Sequence, residues 1–265
     1  MVDIFQSVFL GIIQGASEFL PISSSGHLIV IPELFGWKDP GLYFDVSLHF
    51  GTLLAVTIYF WRDWMKIICL AFDRNKNKPK EGDYNFQTLW ILAAATIPGV
   101  LAGFFLENIA ETIFRNQLLV AFNLFFWGGV LFYADKKKSQ KREFKEIGFV
   151  DGMFIGFFQM LAVIPGTSRS GITITAGLMR GLGRVEAARF SFLMMAPIVF
   201  GASILKFGDF ISNFNIPMFL GIVFSAISGM AAINFLLKFV EKVSYRVFFW
   251  YRTILALVIV FFYLF

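Results

Sequence analysis

The chain has 265 residues, of which 57% are hydrophobic and 18% aromatic, with 15% charged, a net charge of +5 and one cysteine. Soluble domains are roughly 45–50% apolar, so this balance excludes an ordinary soluble enzyme and a disordered segment, and the lone Cys69 excludes an internal disulfide. The positive surplus reads as basic loops that orient a membrane protein, so membrane lipid is the expected environment and no nucleic-acid partner is expected.

The chain starts Met1-Val2-Asp3, with no basic region and no small-residue cleavage site, so no removed signal peptide is expected. Residues 4–34 are apolar but interrupted by Pro21 and a Ser-Gly run, which predicts a broken helical hairpin rather than a plain span. Apolar runs near 48–68, 87–106, 117–134, 186–206, 216–237 and 247–265 predict six spanning helices, each near the 17 to 25 residues that cross a bilayer. Residues 148–182, interrupted at Pro165, predict a second broken hairpin. No polar stretch is long enough for a soluble domain, so an all-α membrane domain over 1–265 is expected.

The two broken stretches resemble one another. Gly11, Gln14, Ser23, Ser25 and Gly26 recur as Gly156, Gln159, Ser168, Ser170 and Gly171 at a constant offset of 145 residues, and only the proline slips by one. Positive charge collects at Arg62, Lys66, Arg74, Lys76, Lys78 and Lys80, and again at Lys136, Lys137, Lys138, Lys141, Arg142 and Lys145. Weaker sets are Arg180, Arg184 and Arg189, then Lys238, Lys242 and Arg246. The positive-inside rule assigns all four to the cytoplasm. The first hairpin then enters from the outer face and the second from the inner face. This is an inverted-topology repeat, with one half near 1–134, the other near 147–265, and a cytoplasmic basic loop at 135–146 between them. Each half holds one re-entrant hairpin and three transmembrane helices, and the tips are expected to share one polar cavity near the midplane.

Gln14 and Glu18 lie one helical turn apart on one face, with Gly11 on the same stripe. A carboxylate at that depth costs roughly 2.5–3.5 kcal/mol on insertion scales, which marks Glu18 as a functional residue. Each proline break leads into a new helix, whose first amides favour a phosphate. Ser23, Ser24, Ser25, Thr167, Ser168 and Ser170 add hydroxyl donors, and Gly26 and Gly171 permit close backbone approach. Serine at such a position is also an ordinary N-cap. Arg169 sets the sign of the ligand, because its planar fork matches phosphate oxygens, with Glu18 as the alternative partner. His27, near Ser24, is a candidate general base or proton donor, while His49 reads as either structural or catalytic. At the constant offset Glu18 becomes Val163, Ser24 becomes Arg169 and His27 becomes Ile172. The first copy keeps an acid, a nucleophile and a base; the second supplies a cation.

The stretch Gln14-x-x-x-Glu18-Phe-Leu-Pro-Ile-Ser-Ser-Ser-Gly-His27 and the stretch Pro165-Gly-Thr-Ser-Arg-Ser-Gly-Ile-Thr173 resemble the undecaprenyl-diphosphate phosphatase family, the bacterial bacitracin-resistance membrane proteins. The likeness extends over essentially the whole chain. It implies hydrolysis of undecaprenyl diphosphate to undecaprenyl phosphate, recycling the lipid carrier of peptidoglycan synthesis, in a bacterial inner membrane with the active site open to the periplasmic face. It implies catalytic roles for Glu18, Ser24, His27 and Arg169, and binding roles for Gln14, Ser168, Ser170 and Thr173. It also implies a divalent cation, Mg2+ or Ca2+, and bacitracin that competes for substrate rather than binding the protein; a homodimer is compatible with it. Position 14 is often glutamate in that family and is glutamine here, which leaves Glu18 and the substrate phosphates as metal ligands. The nucleophile is either Ser24, deprotonated by His27 or Glu18, or a water activated by Glu18 or the metal. A transporter or flippase of anionic isoprenoid lipids is the alternative function, since broken helices at the midplane also mark transporters.

Overall fold

A computed structural model describes residues 3–38, 41–72, 84–112, 114, 116–136, 141–205, 207–212 and 214–265. Arg74, Lys76, Lys78, Lys80, Lys137 and Lys138 of the basic loops lie outside the described residues. The helices in order are α1 Ile4–Phe19, α2 Ser24–Leu34, α3 Leu42–Tyr59, α4 Trp61–Ala71, α5 Thr88–Thr112, α6 Gln117–Asp135, α7 Phe149–Met160, α8 Arg169–Met179, α9 Arg184–Leu205, α10 Phe207–Ser212, α11 Ile216–Lys242 and α12 Arg246–Leu264. Five of them, α5, α6, α9, α11 and α12, contain stretches long and apolar enough to cross a bilayer. The protein is a multi-pass helical membrane protein.

The sixth expected span, near 48–68, is not one helix. It breaks at Phe60, and α3 and α4 are bent by 70°. Polarity accounts for the break, since α4 carries Arg62, Asp63 and Lys66, which hydrocarbon does not accommodate. Asp63 is pinned beside the start of α5, accepting from the Tyr84 hydroxyl at 2.6 Å and from Arg189 of α9 at 3.3 Å. Burial, with the Asp63 carboxylate accepting its hydroxyl, holds the Tyr84 phenol well above its usual range. The neighbouring basic residues are paired in the same way. Arg180 and Arg142 donate to Asp151, at 2.6 and 2.7 Å, and Arg184 donates to Asp135 at 2.6 Å.

The two short helix pairs, α1–α2 and α7–α8, sit inside a frame of longer helices, and their packing is reciprocal. α1 packs on α11 while α7 packs on α5; α3 and α9 meet each other, as do α6 and α12. The first helix of each short pair, α1 or α7, therefore leans on a long helix from the other half of the chain. Glycine permits the contact at equivalent places. A Cβ at Gly11 would overlap the Gly221 carbonyl of α11, and one at Gly156 would overlap the Ala95 carbonyl of α5. Small residues are the usual means by which membrane helices approach backbone to backbone.

Valine at either position is expected to destabilise the fold by about 1–3 kcal/mol, the usual cost of overpacking. Thermal unfolding in detergent checks this, with Gly103→Ala as a control, since a Cβ there meets nothing within 4 Å. Equal melting of Gly11→Val, Gly156→Val and wild type would refute the packing argument.

Candidate active site

Both helix pairs break for the same local reason. Leu20 precedes Pro21 and Ile164 precedes Pro165, and both adopt extended backbone, with ψ of 141° and 116°; a residue before proline is sterically kept out of the helical region. The chain then turns at Ser23 and Ser168, whose φ values are 73° and 72°. Among the described residues these are the sole non-glycine positions with positive φ, a sparsely populated conformation that persists where its surroundings enforce it. Each serine caps the helix that follows, accepting from the Gly26 amide at 3.3 Å and the Gly171 amide at 3.1 Å. The one-residue slip between the prolines is absorbed by a 3-10 turn at Leu161–Val163 and by Gly166 at φ 87°.

The tips meet at Glu18, whose carboxylate is buried. Its Oε1 accepts from Arg169 Nη2 at 2.9 Å, and its Oε2 accepts from Ser24 Oγ at 2.5 Å and from Gln14 Nε2 at 3.1 Å. One carboxylate thus joins α1, the start of α2 and the start of α8. His49 of α3 completes the group, with Nδ1 at 2.9 Å from Gln14 Nε2 and 3.5 Å from Glu18 Oε2. Arg169 is held from behind, because its Nη1 donates to the Ser191 carbonyl at 3.0 Å. Thr173 Oγ1 donates to the Arg169 carbonyl at 2.8 Å and lies 2.7 Å from Ser191 Oγ. Ser170 Oγ reaches across to the Leu20 carbonyl at 3.1 Å. Ser24, Ser25, Arg169 and His49 keep partial exposure, so these four form the accessible surface of the group.

Arg252 of α12 lies directly behind the tips and has no solvent exposure. It donates to the carbonyls of Leu124 at 2.8 Å, Asn123 at 3.1 Å, Gly166 at 2.8 Å and Thr167 at 3.0 Å, with Pro21 at 3.5 Å. Among the described residues it has no carboxylate partner. Burying such a charge costs several kcal/mol, offset here by charge-assisted hydrogen bonds that each contribute roughly 1.5–3 kcal/mol. One carboxylate and two guanidiniums leave the region net positive. The site suits an anion.

Residues 7–258 match the family model described as bacitracin resistance protein BacA. The chain belongs to this family. Proteins named undecaprenyl-diphosphatase are similar over nearly the whole length. That of Caldicellulosiruptor bescii is 46% identical over 264 residues, 98% of this chain and 97% of its own. That of Moorella thermoacetica is 45% identical over 258 residues, 97% of both chains. That of Pelotomaculum thermopropionicum is 44% identical over 258 residues, 97% of this chain and 96% of its own.

In this BacA-family chain the expected residues divide by position. Gln14, Glu18, Ser24 and Arg169 come together as the sequence suggests. Ser23 and Ser168 are buried caps, and Ser170 and Thr173 tie the tip of α8 in place. Gly26 and Gly171 are the capped amides, and Ser25 Oγ stands 3.3 Å from Ser23 Oγ. Thr167 is buried, its carbonyl bound to Arg252 and its hydroxyl without a partner among the described residues. His27 differs from expectation. Its Nδ1 lies 2.7 Å from the Ser23 carbonyl and its Nε2 2.7 Å from the Tyr251 hydroxyl, so both ring nitrogens are engaged away from Ser24. His49 stands beside Glu18 instead. Arg252 is not among the expected site residues, although an arginine inside an otherwise apolar run is itself a signal.

Arg252→Met is expected to cost at least about 2 kcal/mol, since it strands several buried carbonyls. Arg252→Lys should restore little of this, because one ammonium cannot span the same set. Melting temperatures in detergent decide it, and a wild-type value for Arg252→Met would overturn the clamp.

Proposed function

We propose that this chain hydrolyses undecaprenyl diphosphate to undecaprenyl phosphate and inorganic phosphate. The observation that carries the reading is the Glu18 carboxylate, shared between the Ser24 hydroxyl at 2.5 Å and the Arg169 guanidinium at 2.9 Å. A nucleophile against a base, with a phosphate-matching cation on the same carboxylate, is the constellation that phosphoryl transfer requires. It favours chemistry over lipid carriage, to which a hydroxyl paired with a buried base adds nothing. The names of the relatives agree with this reaction.

In this mechanism Ser24 Oγ attacks the terminal phosphorus in line. The Oγ–P bond forms as the bond to the bridging oxygen breaks, and that electron pair leaves with undecaprenyl phosphate. The Oγ proton passes to Glu18 Oε2, already in hydrogen-bond contact. Arg169 shifts its free donors to the equatorial phosphate oxygens, helped by the first amides of α2 and α8. Water then attacks the phosphoserine, Glu18 returns the proton to Oγ, and inorganic phosphate leaves with the water oxygen. His27 acts through Ser23, whose carbonyl it holds, and so positions the turn.

A divalent cation, Mg2+ or Ca2+, belongs to this proposal. Among the described residues no three acidic, histidine or cysteine side chains cluster as a complete cage. Gln14 Oε1 is nevertheless buried without a partner, one turn from the Glu18 carboxylate. Two side-chain oxygens that leave most positions to substrate phosphates fit a hard cation, for which one or two carboxylates are usual. Glu18 and Gln14 would hold it, and its chemistry there is neutralisation of diphosphate charge.

The reading further places the site on the periplasmic side of a bacterial inner membrane, with α1–α2 and α7–α8 as opposed re-entrant hairpins of an inverted repeat. The reciprocal packing of α1 on α11 and of α7 on α5 supports the inverted repeat. Bacitracin resistance then follows from competition for the diphosphate lipid.

Phosphate release by purified protein in detergent tests the reaction. Ser24→Ala should lower kcat by about a thousandfold or more, and Arg169→Lys by roughly a hundredfold, with chelator abolishing turnover in wild type. Ser24→Cys trapped with a covalent phosphate supports serine attack; near-normal turnover in Ser24→Ala makes water the nucleophile.

A further inference from the structure

We propose that His49 of α3 is a ligand of the divalent cation, its Nδ1 joining Glu18 Oε2 and the side-chain oxygen of Gln14. The proposal rests on the hydrolase reading and deepens its cation site, whose protein ligands are otherwise two oxygens of α1. It gives a role to a histidine that attack by Ser24 leaves unused.

The hydrogen bonds decide which nitrogen of His49 is available. Gln14 Nε2 stands 3.1 Å from Glu18 Oε2 and 2.9 Å from His49 Nδ1. An amide nitrogen only donates, so Nδ1 presents its lone pair and the ring proton is on Nε2. Nδ1 and Oε2 are therefore two lone-pair atoms facing one another at 3.5 Å. Such a pair repels unless positive charge stands against both atoms. The amide protons supply a little of it, and a divalent cation supplies far more. The spacing also fits, since adjacent ligand atoms about 2.1–2.4 Å from one ion are roughly 3.0–3.4 Å apart. With an ion in the amide's place, a half-turn of the Gln14 amide offers Oε1, the atom that is buried without a partner. Arg169 occupies Glu18 Oε1 at 2.9 Å, which leaves Oε2 to the ion. His27 cannot serve, because both of its nitrogens are engaged with Ser23 and Tyr251.

The ligands come from two helices that share one wall. On α1, a Cβ at Gly15 would overlap the Ser225 carbonyl and Ser228 Oγ of α11; on α3, a Cβ at Gly51 would overlap the Ile222 carbonyl. Ser225 Oγ also donates to the Leu48 carbonyl at 2.9 Å, and Thr52 Oγ1 donates to the His49 carbonyl at 2.8 Å. The backbone on both sides of His49 is thus fixed against the stretch of α11 that holds α1. Gln14 and Glu18 are set face to face with His49 by that common contact, and donors on rigid elements are what a metal site needs. The nitrogen bears on the choice of ion. Imidazole suits transition ions, whereas Ca2+ takes oxygen, so loss of the ring costs a transition ion more than it costs Ca2+.

The chain has two histidines, so 15N-histidine labels His27 and His49 alone. The purified full chain in detergent is loaded with Mn2+ and methylenediphosphonate, which supplies phosphate oxygens and is not hydrolysed, and its electron spin echo modulation is recorded. Wild type should show a nitrogen coupling that changes on 15N-histidine labelling, is lost in His49→Gln and is kept in His27→Gln. By calorimetry, His49→Gln should weaken Co2+ binding at least about tenfold and Ca2+ binding less than about threefold. If His49→Gln does not fold, the coupling in His27→Gln decides, since His49 is then the one histidine present. No bound Mn2+, no histidine coupling in wild type, coupling that survives His49→Gln or is lost in His27→Gln, or equal weakening of Co2+ and Ca2+ overturns the proposal. Histidine coupling in a chain that releases no phosphate from the C55 diphosphate refutes the hydrolase reading and leaves the metal site standing. Phosphate release without histidine coupling does the reverse.

Discussion

Arg252 sits in the interior of α12 with its charge met by main-chain carbonyls from three separate parts of the chain. Broken backbone inside an apolar bundle has no water to satisfy it, so its polar groups must find partners within the protein. The breaks at Pro21 and Pro165 release such groups, and one guanidinium collects carbonyls from both of them together with two from α6. Proline sets where each tip breaks, and the clamp ties the two breaks and α6 to one another. The placement of Glu18 against Arg169 follows from it.

That placement explains why the copies have diverged. The cap serines, Ser23 and Ser168, are spent on the same structural task in both turns, with matching φ angles and matching amide contacts. Chemistry is left to the residue after each cap, which is Ser24 in one turn and Arg169 in the other. Two equal turns would present two hydroxyls or two cations. Unequal ones bring a hydroxyl and a cation to a single carboxylate, so that the carboxylate and guanidinium partly compensate each other.

Legibility varied with how local the cause was. The proline breaks, the serine caps and five of the spans follow from neighbouring residues, and they stand where the sequence puts them. The bend at Phe60 is only half local: the polarity of Arg62, Asp63 and Lys66 lies beside it, but the partners that pin Asp63, Tyr84 and Arg189, lie farther along the chain. His27 is the clearest divergence. Three residues beyond Ser24 it looks like that serine's base, yet a side chain's direction on a helix is set by what packs around it, and Tyr251 of α12 draws this ring the other way. His49 is remote in sequence from Glu18 and reaches it only because α3 packs along α1.

By itself, then, the sequence determined the membrane-spanning character, the two interruptions and the types of reactive group, since these depend on hydropathy, on proline sterics and on spacing along one helix. Tertiary structure alone decided which groups meet: that Ser24 and Arg169 share Glu18, that His49 stands where His27 was expected, and that an arginine in the last helix binds both tips. Those outcomes depend on contacts between residues distant in the chain, such as His49 with Glu18 and Arg169 with Glu18, where no local pattern is written.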